Sequence, residues 1–400
     1  MTEKQNILFY IPTISQEWGG VRQYSAGLMK LFPLLEEKYN FYIYHDGEDP
    51  VIKSILSEHK NLVLIKPSSI NLKKDIFPKK LKYYINLFRN KFFRSKVSLV
   101  EKSVLDIVIY DYQIDIIHCP YQFFPSINFL NKKVKRITTM HDVQELHFPE
   151  FFTAAQRANR AVNYMKYIND AEIVIVSYNH IKEDIKKYFN KNENQIFVLL
   201  LKMDNLWFKK YENNNVQKIE IFDKYIFYPA NFWKHKNHKK LIEAIQFLKL
   251  KKGIKINLIL SGDNKNHEGP SINELIKRLD LEDQIKTIGI VDEISLYNLY
   301  KNTLGVVVPT LYEAGSFPLM ESILLEVPVV CSNVTSLPET IGNDSFVFNP
   351  NSVESIAEKI EKLWNDKEYR MLSITNNKNQ KSRLINTRAD IILNEIYTQI

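Results

Sequence analysis

The sequence predicts an α/β protein built from two doubly wound, parallel-sheet domains. Three observations carry that prediction: short apolar runs alternate with helix-periodic segments from end to end, the chain has 400 residues, and one polar, core-less stretch divides it near the middle. The first strand, 7–11, stops at Pro12, and a helical pattern at 23–31 follows it. Further strands are expected at 41–44, 62–65, 114–118, 136–140, 173–177 and 196–200. The second half reads the same way, with strands at 225–228, 256–261, 286–288, 304–308, 329–331 and 346–348 and helical repeats between them. Segment 209–221, centred on Glu212-Asn-Asn-Asn-Val216, is the expected linker between domains at 1–208 and 222–375, and a terminal helix is expected over 376–400. In open α/β sheets ligands bind beyond the carboxyl ends of the strands, so two such domains would share one cleft.

Composition supports a globular chain, 45% apolar and 25% charged. Cys119 and Cys331 sit at the ends of apolar runs, where they read as buried reduced thiols of a cytoplasmic protein. The apolar run at 7–11 is too short for a signal peptide, and no run approaches the roughly 20 residues that span a bilayer. A soluble or membrane-peripheral protein is expected. The net charge of +8 equals the excess within 71–102, where ten Lys and Arg face only Asp75 and Glu101. Aromatic and aliphatic residues from Phe77 to Phe93 are interleaved there. Such a stretch suits an anionic membrane surface, to which each cation contributes about 1 kcal/mol. A solvated helix packed into the first domain explains it equally. Nucleic acid is not expected, because no recognition motif accompanies the charge.

The densest information lies in Glu313-Ala-Gly-Ser-Phe-Pro-Leu-Met-Glu321, directly after the strand 304–308. Pro318 is expected to open a helix with Glu321 in its first turn. Free amides around Gly315, Ser316, Phe317 and Leu319 would then meet an anion such as a diphosphate, while Glu321 accepts hydrogen bonds from sugar hydroxyls. An ordinary strand–loop–helix unit with solvated glutamates is the competing reading. The series Glu-x7-Glu, Val327-Pro-Val-Val330, Ser332-Asn333, Ser336-Leu-Pro-Glu-Thr340, Gly342 and Asn349-Pro350 resembles the retaining GT-B glycosyltransferases of family 4. That resemblance implies two Rossmann-like domains, with the nucleotide-sugar donor on the second domain and the terminal helix returning to the first.

Six further constellations lie at or after strand ends. Trp18-Gly19-Gly20-Val21-Arg22 is a two-glycine loop that lets backbone approach a phosphate or sugar, with Arg22 in reach of an anion; a plain tight turn also explains it. His141-Asp142 begins a stretch similar to the family's His-Asp-x-Gln-x-x-x-Phe-Pro-Glu-Phe-Phe, so His141 is a candidate donor-sugar contact that donates to a hydroxyl, and Asp142 orients it or fixes the loop. In Pro229–His238, Lys236 matches the family lysine that clamps the diphosphate, whereas Asn231 stands where the family has arginine, with Lys234 as a possible substitute cation. Ser261-Gly262-Asp263 suits close nucleotide approach at Gly262, Gly289 to Glu293 lies where similar proteins hold the base, and Ser177 matches a frequent cleft serine.

The resemblance implies sugar transfer from a nucleoside-diphosphate sugar to a hydroxyl of a glycan or lipid-linked acceptor, with retention and in surface polysaccharide or glycolipid assembly. His141 and Glu313 are the candidate catalytic residues. Gly19, Gly20, Asn231, Lys236, Gly262, Gly315, Ser316, Phe317, Leu319 and Glu321 are the candidate donor-binding residues. No Asp-x-Asp pair or metal-ligand spacing occurs, so neither metal nor cofactor is expected. A non-catalytic binding or scaffold protein and an epimerase or phosphorylase of the same fold are the rivals.

Overall fold

The computed structural model describes residues 4–13, 19–70, 103–125, 134–203, 207–218 and 220–400. The basic stretch 71–102 and Trp18 lie outside these residues. Seven parallel strands form the first sheet, in the order β3-β2-β1-β4-β5-β6-β7: β1 Gln5–Tyr10, β2 Tyr39–Tyr44, β3 Leu62–Ile65, β4 Ile116–Cys119, β5 Lys135–Met140, β6 Ile173–Val176 and β7 Ile196–Val198. Six parallel strands form the second, in the order β10-β9-β8-β11-β12-β13: β8 Ile226–Pro229, β9 Leu258–Ser261, β10 Ile285–Thr287, β11 Gly305–Val308, β12 Val329–Ser332 and β13 Val347–Phe348. β6 and β11 are buried along their whole length, because helices cover both faces of each sheet.

Each sheet reverses its winding once, between β1 and β4 in the first and between β8 and β11 in the second. β1 pairs with β4 through Ile7 and Ile116, and β8 pairs with β11 through Ile226 and Gly305. At such a switch point the loops leave in opposite directions and open a crevice beyond the strand ends. The loops after β8 and β11 carry Asn231, Lys236 and Glu313.

The crossover between the lobes is earlier than the expected linker. Leu199 belongs to the first core and Leu200 to the second, and Phe208 is buried among second-lobe residues. Segment 207–211 is a 3₁₀ turn on the second lobe, so the run 209–221 follows the crossover instead of making it. The terminal helix also differs from the expected span. Lys367–Ile385 is one helix across residue 376, with Leu384 still in the second core. The return to the first lobe is made by Ala389–Gln399, which buries Leu393, Ile396 and Tyr397 there. The Tyr397 hydroxyl meets His118 Nδ1 at 2.8 Å. The two crossovers touch where Met203 N donates to Leu384 O at 3.1 Å.

Among the described residues, no helix is long and apolar enough to cross a membrane. Cys119 and Cys331 are buried free thiols, and burial raises both above the ordinary thiol range.

Candidate functional site

Lys236 and Glu313 meet at the switch point of the second sheet. Lys236 ends a 3₁₀ turn, Lys234–Lys236, after β8, and Glu313 stands five residues beyond β11. Lys236 Nζ donates to Glu313 Oε1 at 2.7 Å, with the two side chains 14% and 5% exposed. The Glu313 loop is fixed from several sides. Leu311 N donates to His235 O at 2.7 Å, Glu313 N to Thr335 Oγ1 at 3.3 Å, and Ser336 Oγ to Glu313 O at 3.2 Å. A single buried cation and a carboxylate are therefore held side by side in a largely desolvated place, where charge acts most strongly.

The helix after Glu313 is α1, Phe317–Leu324, with Ser316 as N-cap and Pro318 as its second residue. The first backbone bond of its ladder is Met320 N to Ser316 O at 3.0 Å. The Phe317 and Leu319 amides precede it, at the positive end of the helix dipole. Leu319 offers only its amide, since its side chain is in the core. Ser316 caps nothing with its hydroxyl, and Ser316 Oγ is buried with no partner. Gly315 packs closely against the first lobe: a methyl there would sit 3.1 Å from the Tyr178 ring.

Glu321 is the fifth residue of α1 and not in its first turn, because the helix starts one residue before Pro318. Its carboxylate is bound at both oxygens, by Trp207 Nε1 on Oε1 and Tyr300 Oη on Oε2, each at 2.7 Å. Burial raises the Glu321 carboxyl above its usual range, while the Tyr300 and Trp207 hydrogen bonds work against that rise.

Asn231 ties the loop after β8 to the loop after β9. Its Oδ1 accepts from Asp263 N at 2.8 Å, so the position supplies no cation. The Lys234 ammonium lies 5.1 Å from the centre of the Phe151 ring of the first lobe. Gly262 has φ of 136°, and a methyl there would come 2.4 Å from Ala230 O. Only glycine lets the β8 and β9 loops approach this closely.

The first lobe closes over this crevice. Gly19 and Gly20 are the first residues of a helix, Gly19–Met29, and not a preceding loop. Gly20 nevertheless faces the second lobe, since a methyl on it would lie 3.6 Å from the Phe317 ring. Arg22 is not free for an anion; it grips Asp49 at 2.6 and 3.2 Å. His141 follows β5 with its ring edge-on to Tyr24. Its Nε2 faces Pro120 O at 3.0 Å, and a carbonyl only accepts, so Nε2 carries the proton. Burial lowers the His141 pKa, so the ring is neutral and Nδ1 is an acceptor. With Nε2 occupied by Pro120 O, the expected donation from Nε2 to a sugar hydroxyl is not open to the ring, and Nδ1 can only accept. Asp142 binds Arg160 Nη1 at 3.1 Å, which also holds Glu145, so it fixes the loop.

Tyr312, Tyr178 and Asn179, none with a sequence signal, join the lobes. Val143 N donates to Tyr312 Oη at 3.2 Å, which staples the His141 loop to the Glu313 loop. Tyr178 Oη reaches Met320 Sδ at 3.6 Å. Asn179 adds two bonds to Glu339, at 3.1 and 3.0 Å. Asp292 caps the helix Glu293–Asn302 beside Gly289, whose φ is 73°. No group of three or more His, Cys, Asp or Glu among the described residues is placed to hold a metal.

Two parallel-sheet lobes facing across a crevice are the arrangement of the GT-B fold. Residues 210–380 match the family described as glycosyl transferases group 1. O-antigen chain mannosyltransferase B of Escherichia coli is 27% identical over 267 residues, 66% of this chain and 68% of that relative. The capsular polysaccharide biosynthesis glycosyltransferase CapM of Staphylococcus aureus is 29% identical over 187 residues, 44% of this chain and 48% of its own. A glycosyltransferase from Rickettsia africae ESF-5 shares the fold with a TM-score of 0.61 at 19% identity, over 99% of this chain and 100% of that one. Anabaena HepE in complex with UDP does so with a TM-score of 0.63 at 16% identity, over 99% of each chain. The match to glycosyl transferases group 1 thus spans the second lobe.

Proposed function

We propose that this glycosyltransferase moves a hexose from a nucleoside-diphosphate sugar to a hydroxyl of a glycan or lipid-linked acceptor, with retained configuration, in the manner of family 4. The Lys236–Glu313 pair at the switch point carries the reading. Lys236 and the amides of Phe317 and Leu319 take the charge of the leaving diphosphate, and Glu313 holds donor hydroxyls near the anomeric carbon. Glu321 binds the ribose, and His141 Nδ1 accepts a sugar hydroxyl from the opposite lobe. The anomeric C–O bond to phosphate breaks as the acceptor oxygen attacks from the same face. The acceptor proton passes to the departing phosphate oxygen. Closure of the lobes excludes water that would otherwise hydrolyse the donor.

No metal takes part in this scheme, because Lys236 and the helix start supply the positive charge. The names of the relatives make mannose the first sugar to try, and O-antigen or capsule-type polysaccharide the first acceptor class. Enzymes that build such polymers on lipid carriers work at the inner membrane face, and segment 71–102 supplies the basic charge for that surface. Binding to anionic liposomes that disappears at high salt tests this part.

The central test is a thermal-shift screen against UDP, GDP, ADP and dTDP, followed by product analysis with the matching sugar. Stabilisation by one diphosphate, turnover insensitive to EDTA, and an NMR anomeric coupling matching the donor are expected. A shift with none of the four, or an inverted product, refutes the reading. Asn231 in place of an arginine favours one other reading, a binding protein without turnover. Donor binding without product would select it.

A further inference from the structure

Trp207 lies on the segment that enters the second lobe after the crossover, outside every motif the sequence displays. Its neighbour Phe208 is buried in the second core, Lys210 pairs with Glu293, and the Tyr211 ring lies 5.9 Å from that of Tyr297. These contacts pin the segment onto the helix Glu293–Asn302 and direct the Trp207 indole at Glu321. Tyr300, on the same helix and fully buried, comes from the other side.

We propose that Trp207 and Tyr300 are positioning residues for the nucleotide's ribose: one donor on each oxygen keeps the Glu321 carboxylate ionised and oriented, so that its free lone pairs accept from a vicinal 2′,3′-diol. The inference rests on the donor-site reading above and deepens it. A carboxylate has about four lone-pair directions. Trp207 and Tyr300 occupy one on each oxygen, at 2.7 Å. One acceptor position remains on each oxygen, the pattern that two adjacent hydroxyls fill. Loss of either N–H or O–H leaves a buried carboxylate with an unsatisfied oxygen. Such a group rotates or takes up a proton, and in both cases it ceases to read the diol.

The site is therefore predicted to select ribonucleotides over their 2′-deoxy counterparts through this network. Trp207→Phe keeps an aromatic ring and removes the N–H; Tyr300→Phe keeps nearly the whole volume and removes the O–H. The test is calorimetric titration of wild type and both variants with UDP and dUDP, GDP and dGDP, and ADP and dADP, with circular dichroism of each protein as the folding control. Wild type should prefer one ribonucleoside diphosphate over its deoxy form by about tenfold, the value of one hydrogen bond to a charged group. Either variant should lose about tenfold in affinity for the ribo form and little for the deoxy form, so that the preference collapses. A structural role alone would weaken both forms equally and leave the ratio intact, which overturns the proposal. Equal binding of ribo and deoxy forms by wild type also overturns it while leaving the donor site standing. Binding of neither form removes the donor site itself, and this inference with it.

Discussion

The costs of removing Lys236 and Glu313 singly should sum to far more than the cost of removing both. Lys236→Ala strands a carboxylate whose side chain is only 5% exposed, and breaking a buried pair this way costs about 3–5 kcal/mol. The lower end applies, about 3 kcal/mol, because Thr335 and Ser336 still bond the Glu313 backbone. Glu313→Ala leaves an ammonium at 14% exposure on a flexible stem that can swing toward water, so its cost is smaller, about 2 kcal/mol. The double variant carries no stranded charge and loses mainly packing, about 2 kcal/mol. Taken together, these figures give a coupling of about 3 kcal/mol, within the range for residues in direct contact. Urea unfolding of the four proteins, read on the transition of the second lobe, measures it. All three variants should also lose binding of the nucleoside diphosphate. Additivity within about 0.5 kcal/mol would refute the picture of a desolvated ion pair.

Asn231→Arg restores the cation missing from the Pro229–His238 loop and breaks one exposed hydrogen bond to Asp263 N; nucleoside diphosphate affinity should rise about fivefold at low salt, and no gain by calorimetry refutes a diphosphate beside this loop. Gly262→Ala forces a methyl to within 2.4 Å of Ala230 O and should lower stability by about 2–4 kcal/mol in urea unfolding; an unchanged midpoint would show that the β8 and β9 loops move apart easily. Acid should weaken the fold before its carboxylates titrate. Burial holds His118, His235 and His238 down to about 3 and His180 to about 4 in the folded protein. The unfolded chain protonates them near 6.5, so between there and about 4 it binds more protons, and stability falls as pH falls, by up to about 1.4 kcal/mol per histidine per pH unit. A melting temperature that holds or rises from pH 7.5 to 5 contradicts this.

The strands and the lysine–glutamate pair were legible for local reasons. Helices cover both faces of the sheets, so Ile173–Val176 and Gly305–Val308 had to be continuous apolar runs. Lys236 and Glu313 each stand a few residues after such a run. That alone places them at strand ends, though not against each other. What escaped the sequence depends on partners far along the chain. Arg22 is taken by Asp49, 27 residues away, and the His141 proton by Pro120 O, 21 away. Tyr312 reaches Val143 across 169 residues, and Trp207 reaches Glu321 across 114.

The misread helix start has a different cause. Proline tolerates either of the first two helical positions, because neither N–H has a partner within the helix, so Pro318 alone could not fix the register. A start one residue earlier makes Glu321 the fifth helical residue, in the second turn, where Trp207 and Tyr300 bond its carboxylate. The two carboxylates of the motif thereby face different environments: Glu313 meets a cation and Glu321 meets two neutral donors. Neutral donors leave a carboxylate its full charge and spare lone pairs for hydroxyls, whereas the cation beside Glu313 is itself what an incoming diphosphate would compete for. Spacing sets both glutamates near one cleft, but only their partners tell them apart, and the proposed division into a diphosphate end and a ribose end rests on those partners.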